Sequence, residues 1–98
     1  MLDLFLSLAA TTAQVQIIAQ AKSTIYLPVS TSQSSRKNCV TYTATNSTGR
    51  SVSDVSVNRR DSRGQINQSF LTTSLVAGKT VAFDVCEGYS FVNVESKQ

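Results

Sequence analysis

The chain has 98 residues, the length of a single domain, and only 15% of them are charged. Nine basic and six acidic residues give a net charge of +3, which lacks the concentrated basic stripe expected of a nucleic-acid-binding protein. The absence of His removes the commonest general base and the commonest metal ligand, so we expect no enzymatic activity and no metal or other cofactor.

The most apolar part of the sequence is residues 1–21, which contain one charge, Asp3. They could form a secretory signal segment over residues 1–13, a membrane-spanning helix, or a structural arm. Too many Thr and Gln residues interrupt the run for a stable membrane span, and the first residues lack the Lys or Arg of a signal peptide. We favour an N-terminal arm at 1–21 followed by a β domain at 22–98, and the signal segment stays open as the alternative.

Two periodicities run through the arm. Its first half follows a helical spacing, whereas Ala13, Val15 and Ile17 alternate as in a strand, so helix, strand or both are open. An apolar terminus needs a surface to pack against. We therefore predict that the arm contacts a partner through its large apolar side chains, which are Leu2, Leu4, Phe5, Leu6, Leu8, Val15, Ile17 and Ile18.

Short strand patterns separated by turn signals occupy the first half of the β domain. A β-prone run stops at Pro28, residues 30–38 are polar enough to predict a loop, and residues 39–44 alternate. The next predicted strand carries Val52, Val55 and Val57, and its alternation shifts at Ser53-Asp54 as it does at a β-bulge.

The second half continues the pattern. Residues 61–64 predict a hairpin turn with Gly64 in the left-handed conformation, and strands are predicted over 66–75, 81–86 and 89–94. Six or seven short strands at this spacing predict an all-β antiparallel sandwich. We expect its aromatic side chains to point inward, namely Tyr26, Tyr42, Phe70, Phe83, Tyr89 and Phe91.

The two cysteines, Cys39 and Cys86, open one predicted strand and close another, each out of phase with the apolar face. If these strands are antiparallel neighbours, the two residues meet on the outer face at one end of the sheet. This placement favours a disulfide, although two buried thiols stay possible.

Three arginines, Arg59, Arg60 and Arg63, are predicted to lie on one hairpin. They are candidates for contacting an acidic partner or a neighbouring subunit. The alternative is a solvated hairpin tip that discourages strand pairing.

The segments TYTATNSTGRSVSDVSV, DSRGQ and SLVAGKTVAFDV, between residues 40 and 85, resemble bacterial and archaeal immunoglobulin-like surface domains, including the FxLYD and CARDB-type modules. The resemblance covers about half of the chain and departs from the FxLYD pattern at Arg59-Arg60. It implies an immunoglobulin-like sandwich and a non-enzymatic role in adhesion, spacing or assembly.

Two functions follow as expectations. The first is a structural subunit, such as a virion decoration or cement protein, that docks through its arm on protein subunits of a homo-oligomer, capsid or filament. The alternative is a secreted or cell-surface adhesive or pilus-like module. Both expectations place the protein on a virion or outside the cell, with protein partners rather than nucleic acid and without a stable membrane span.

Overall fold

The computed structural model describes residues 22–98, and every regular element in this part of the chain is a β-strand. The seven strands are β1 (Thr24–Tyr26), β2 (Val29–Gln33), β3 (Cys39–Thr45), β4 (Val52–Asp61), β5 (Ile66–Leu75), β6 (Thr80–Cys86) and β7 (Tyr89–Lys97). The prediction of an all-β domain with six or seven strands is confirmed. The predicted arm, residues 1–21, lies outside the described residues.

The strands form two antiparallel sheets that pack as a sandwich. The four-stranded sheet has the order β1-β7-β4-β5, and the three-stranded sheet has the order β2-β3-β6. Alternate residues of each strand face the gap between the sheets, because successive side chains in a strand point to opposite faces. The core between the sheets consists of Leu27, Ala44, Val52, Val55, Val57, Leu75, Phe83, Val85 and Val94.

A β-bulge lies in β4 where the sequence predicts one. Ser53 pairs with Lys97 and Ser56 pairs with Glu95, so two residues of β4 lie opposite one residue of β7. Asp54, within the bulge, has a φ of 52°, in the left-handed region. The additional residue lets Val52 and Val55 both face the core although they are three positions apart.

The predicted hairpin between β4 and β5 is also confirmed. Gly64 has a φ of 84°, and its N–H donates to the carbonyl oxygen of Asp61 at 3.0 Å, which closes the turn. The left-handed conformation at this position favours glycine.

The polar loop predicted over residues 30–38 is wrong in its first half. β2 extends from Val29 to Gln33 and pairs with β3 in register, from Val29 opposite Ala44 to Gln33 opposite Val40. β2 is an edge strand made mostly of exposed Ser, Thr and Gln, so it lacks the apolar alternation by which a strand is recognised in sequence.

The prediction for the aromatic residues is confirmed for only half of them. Tyr42 stacks on Phe91 with 4.6 Å between ring centroids and on Phe83 with 5.6 Å, inside the sandwich. Tyr26, Phe70 and Tyr89 are instead 62%, 62% and 50% exposed. Tyr26 and Phe70 are on edge strands, and their cross-strand partners are the outward-facing Glu95 and Ser56.

Candidate functional site

The predicted disulfide is present. Cys39 and Cys86 are direct partners in the β3–β6 ladder, and their sulfur atoms are bonded at 2.01 Å. Both side chains lie on the outer face of the three-stranded sheet, since Val40 and Val85 beside them face the other way. The bridge closes the sheet at one end and joins residues that are 47 positions apart in the chain.

The three candidate arginines share one hairpin but not one face. Arg59 is half-buried and turns toward the gap between the sheets, whereas Arg60 is exposed on the outer face and donates to the carbonyl oxygen of Gly64 at 2.9 Å. Arg63 is exposed in the turn. Neighbouring residues in a strand point to opposite faces, so Arg59 and Arg60 cannot form one basic patch.

Arg59 connects the two sheets at the side of the sandwich that is bordered by the edge strands β5 and β6. Its guanidinium donates to the carbonyl oxygen of Asp84 in β6 at 2.8 Å and to the hydroxyl of Ser69 in β5 at 3.1 Å. The same group lies 5.6 Å from the ring centroid of Phe83, in cation–π range. These contacts give Arg59 a structural role.

The carboxylate of Asp84, on the three-stranded sheet, contacts two neighbouring side chains. The Thr41 hydroxyl donates to Asp84 at 2.6 Å, and the guanidinium of Arg36 lies 3.5 Å from the other carboxylate oxygen. Within residues 22–98 no group of three or more acidic, His or Cys side chains is arranged to hold a metal ion.

Asn46 is a buried polar residue that orders the turn between β3 and β4. Its amide nitrogen donates to the carbonyl oxygens of Arg50 at 2.7 Å and Leu75 at 2.9 Å. Its amide oxygen accepts from the backbone N–H of Thr48 at 3.1 Å and from the Thr48 hydroxyl at 2.7 Å. All the hydrogen-bonding capacity of this fully buried side chain is therefore used by the turn and by the end of β5.

The outer face of the four-stranded sheet carries a network of amide groups around Glu95. Asn58 and Gln68 each donate to the same Glu95 oxygen at 2.8 Å, and Asn58 also donates to Asn93 at 2.7 Å. The network supplies hydrogen-bond partners to the side chain of Asn58, which is buried although it lies on the outer face of the sheet.

The carboxylate of Asp61 accepts hydrogen bonds within the turn between β4 and β5. The backbone N–H of Gln65 hydrogen-bonds its carboxylate and lowers the pKa of Asp61 below its ordinary value, and Asn67 and the backbone of Arg63 act in the same direction. Asp61 thus stabilises its turn in the ionised form.

An exposed apolar surface follows β5, the outermost strand of the four-stranded sheet. Within residues 22–98, β5 pairs only with β4, so the backbone groups on its other side are open to a further strand. Ile66 is 49% exposed, Phe70 62% and Val76, just after the strand, 57%. We call the open side of β5, with Ile66 and Phe70, the β5 edge.

The sequence analysis missed this edge, although a signal for it exists. The segment INQSFLTTSL is ten residues long and contains no charged residue and no proline. Natural edge strands are usually short or carry such residues to prevent pairing with other chains. The other edge strands differ: β1 has three residues, β2 has five, and β6 carries Asp84 and the disulfide.

Residues 22–98 therefore form a disulfide-linked, two-sheet antiparallel β-sandwich. No protein-family model matches the chain, and neither the curated proteins nor the solved structures contain a significant match. The resemblance to immunoglobulin-like surface domains stays a prediction. None of the described residues belongs to a helix that is long and apolar enough to cross a membrane.

Proposed function

We propose that the chain is a non-catalytic structural subunit of a larger assembly, such as a virion decoration or cement protein, and that residues 1–21 dock it on a neighbouring subunit. In this proposal the sandwich is of the immunoglobulin-like type and serves as a rigid body, and the arm supplies the contact.

One observation carries the proposal. Among residues 22–98, the buried apolar side chains of the core lie between Leu27 and Val94. The chain also contains a separate apolar segment, residues 1–21, with eight large apolar side chains at Leu2, Leu4, Phe5, Leu6, Leu8, Val15, Ile17 and Ile18. Leaving such side chains in water is unfavourable by about 1.5–3 kcal/mol each relative to full burial, which favours burial against a partner.

The experiment is a measurement of mass in solution by multi-angle light scattering over a range of protein concentrations. We expect the full chain to form a species larger than a monomer, and the double variant Val15→Asp/Ile17→Asp to be monomeric. The control is Tyr26→Asp/Ser47→Asp, which places the same two charges at exposed positions outside the arm and away from β5. A wild-type chain that is monomeric at every concentration contradicts the proposal.

A second function is favoured by the disulfide. Disulfides form and persist in oxidising environments outside the cytoplasm. The Cys39–Cys86 bridge therefore supports the alternative of a secreted or cell-surface adhesive or pilus-like module, in which residues 1–13 are a signal segment. Mass spectrometry of the native protein distinguishes the two: a mature start near Gln14 supports secretion, and an intact Met1 contradicts it.

A further inference from the structure

We infer that the β5 edge is the docking surface for the arm, and that residues 14–21 of one copy add to β5 of a neighbouring copy as a fifth strand of its four-stranded sheet. This inference rests on the proposed function, because it names the surface that receives the arm.

The backbone of β5 is unpaired on one side among the described residues. The open side of a ten-residue strand presents a row of N–H and C=O groups that a further extended segment can pair with. The strand has no charge or proline that would oppose such pairing. At about 3.3 Å per residue the edge is about 33 Å long, and residues 14–21 span about 26 Å when extended.

The side chains of residues 14–21 match those on the edge strand β5. Ile66 and Phe70 lie on the outer face of β5, opposite Arg60 and Ser56 of β4. In the arm, Val15 and Ile17 alternate with Gln14 and Gln16. In an added antiparallel strand with Val15 opposite Phe70, Ile17 lies opposite Gln68 and Ala19 opposite Ile66, so that these three side chains cover the outer face. Gln16 then lies opposite Ser69, where the two can form a cross-strand hydrogen bond, and Ile18 lies opposite Asn67.

The arm leaves the sandwich at Lys22, at the end of the four-stranded sheet where β5 ends. The ammonium group of Lys22 hydrogen-bonds Ser53 at 3.1 Å, and Ser53 pairs with Ser74 near the end of β5. An arm that folded back to lie beside its own β5 would have to reach four strand spacings from β1, about 19 Å, and would then run parallel to β5 unless it made a return loop. A neighbouring copy imposes neither constraint and permits the antiparallel pairing, which is slightly more stable per residue.

The pairing has a consequence for the form of the assembly. Each copy offers one arm and one β5 edge, which are different surfaces, so the contact is head-to-tail. Such contacts generate closed rings or open filaments rather than symmetric dimers. The inference does not depend on whether residues 1–13 are removed, since Gln14 to Ala21 remain in either case.

The test uses two full-length variants, Phe70→Lys and Tyr26→Lys. Phe70 and Tyr26 are each 62% exposed on the outer face of the same sheet, but at opposite edges. We expect Phe70→Lys to weaken assembly by at least about tenfold in dissociation constant and Tyr26→Lys to leave it unchanged. Equal effects of the two variants overturn the inference.

Cross-linking gives a second measurement that does not depend on the stability of Phe70→Lys. A chain with the photoreactive residue p-benzoylphenylalanine at position 70 is mixed with isotope-labelled wild-type chain, irradiated and digested. Cross-links from position 70 to residues 14–21 of the labelled chain support the inference. Cross-links to the same chain's arm, cross-links between two β5 strands, or no cross-link to the arm overturn it.

The two failures are distinguishable. If the wild-type chain is monomeric, the proposed function fails, and the docking surface fails with it. If assembly is lost in Val15→Asp/Ile17→Asp but retained in Phe70→Lys, the arm mediates assembly through another surface, and only the present inference is overturned.

Discussion

Cys39 and Cys86 lie directly opposite each other at the end of the three-stranded sheet, so the disulfide joins β3 and β6 at the point where their ladder ends. The bridge adds a covalent link to a sheet whose outer strand, β2, contributes little to the core. The core of the described residues contains nine buried apolar side chains, so we expect the covalent link to contribute a large share of the stability.

The double variant Cys39→Ser/Cys86→Ser is expected to lose about 4 kcal/mol of unfolding free energy, because the bridge closes a loop of about 48 residues in the unfolded chain. Urea denaturation followed by circular dichroism measures the loss. The wild-type chain in the presence of a reducing agent is the control and should show a similar decrease. A loss below about 1 kcal/mol in both contradicts the prediction.

Replacing Asn46 by Ala is expected to destabilise the protein by about 2–3 kcal/mol, because the buried carbonyl oxygen of Leu75 and the groups of the β3–β4 turn lose their partner. Asn46→Asp should also be destabilising, since a carboxylate cannot donate to two carbonyl oxygens. The matched control is Ser47→Ala, at the exposed next position, with an effect within about 0.5 kcal/mol. Similar unfolding free energies for Asn46→Ala and Ser47→Ala would refute this role.

The Asp61 carboxylate is expected to titrate below 3.8, the ordinary value of its pKa, in an NMR titration of the folded protein. Its pKa is lower in the folded state than in the unfolded state. The stabilisation is therefore present at higher pH and lost as the pH falls through the folded value. The melting temperature of wild type should fall more steeply on acidification below about pH 4 than that of Asp61→Asn, which cannot titrate. A midpoint at or above 3.8, or parallel melting curves, contradicts the prediction.

The parts of the fold that could be predicted from the sequence are those in which side-chain alternation and turn chemistry agree. β3 and β6 have Val, Tyr, Phe and Ala at alternate positions, and the turn at Gly64 has a residue suited to its conformation. The register of Cys39 with Cys86 followed from their positions at opposite ends of two such strands. In each case burial of one face leaves a period of two in the sequence.

The parts that could not be predicted lie at the edges of the sheets. β2 is polar on both faces, and the outward direction of Phe70 and Tyr26 depends on which strand each pairs with, which alternation within one strand does not determine. Likewise, which of Arg59 and Arg60 faces the core becomes clear only when the gap between the sheets is located. Edge strands are half solvated, so burial constrains their sequences less than those of central strands.

Arg59 and Arg60 are adjacent and have the same side chain, but they lie on opposite faces of β4 and make different contacts. Arg59 lies on the inner side of β4 and donates to Asp84 and Ser69 while it contacts Phe83, whereas Arg60 makes one exposed hydrogen bond in the turn. Arg59→Ala is therefore expected to cost about 1–2 kcal/mol of unfolding free energy, and Arg60→Ala less than about 0.5 kcal/mol. Arg59→Lys should recover only part of the loss, since an ammonium group lacks the planar fork that reaches two acceptors while it lies over a ring. Urea denaturation of the three variants measures the differences. Equal losses for Arg59→Ala and Arg60→Ala would mean that the contact across the open side of the sandwich does not stabilise the fold.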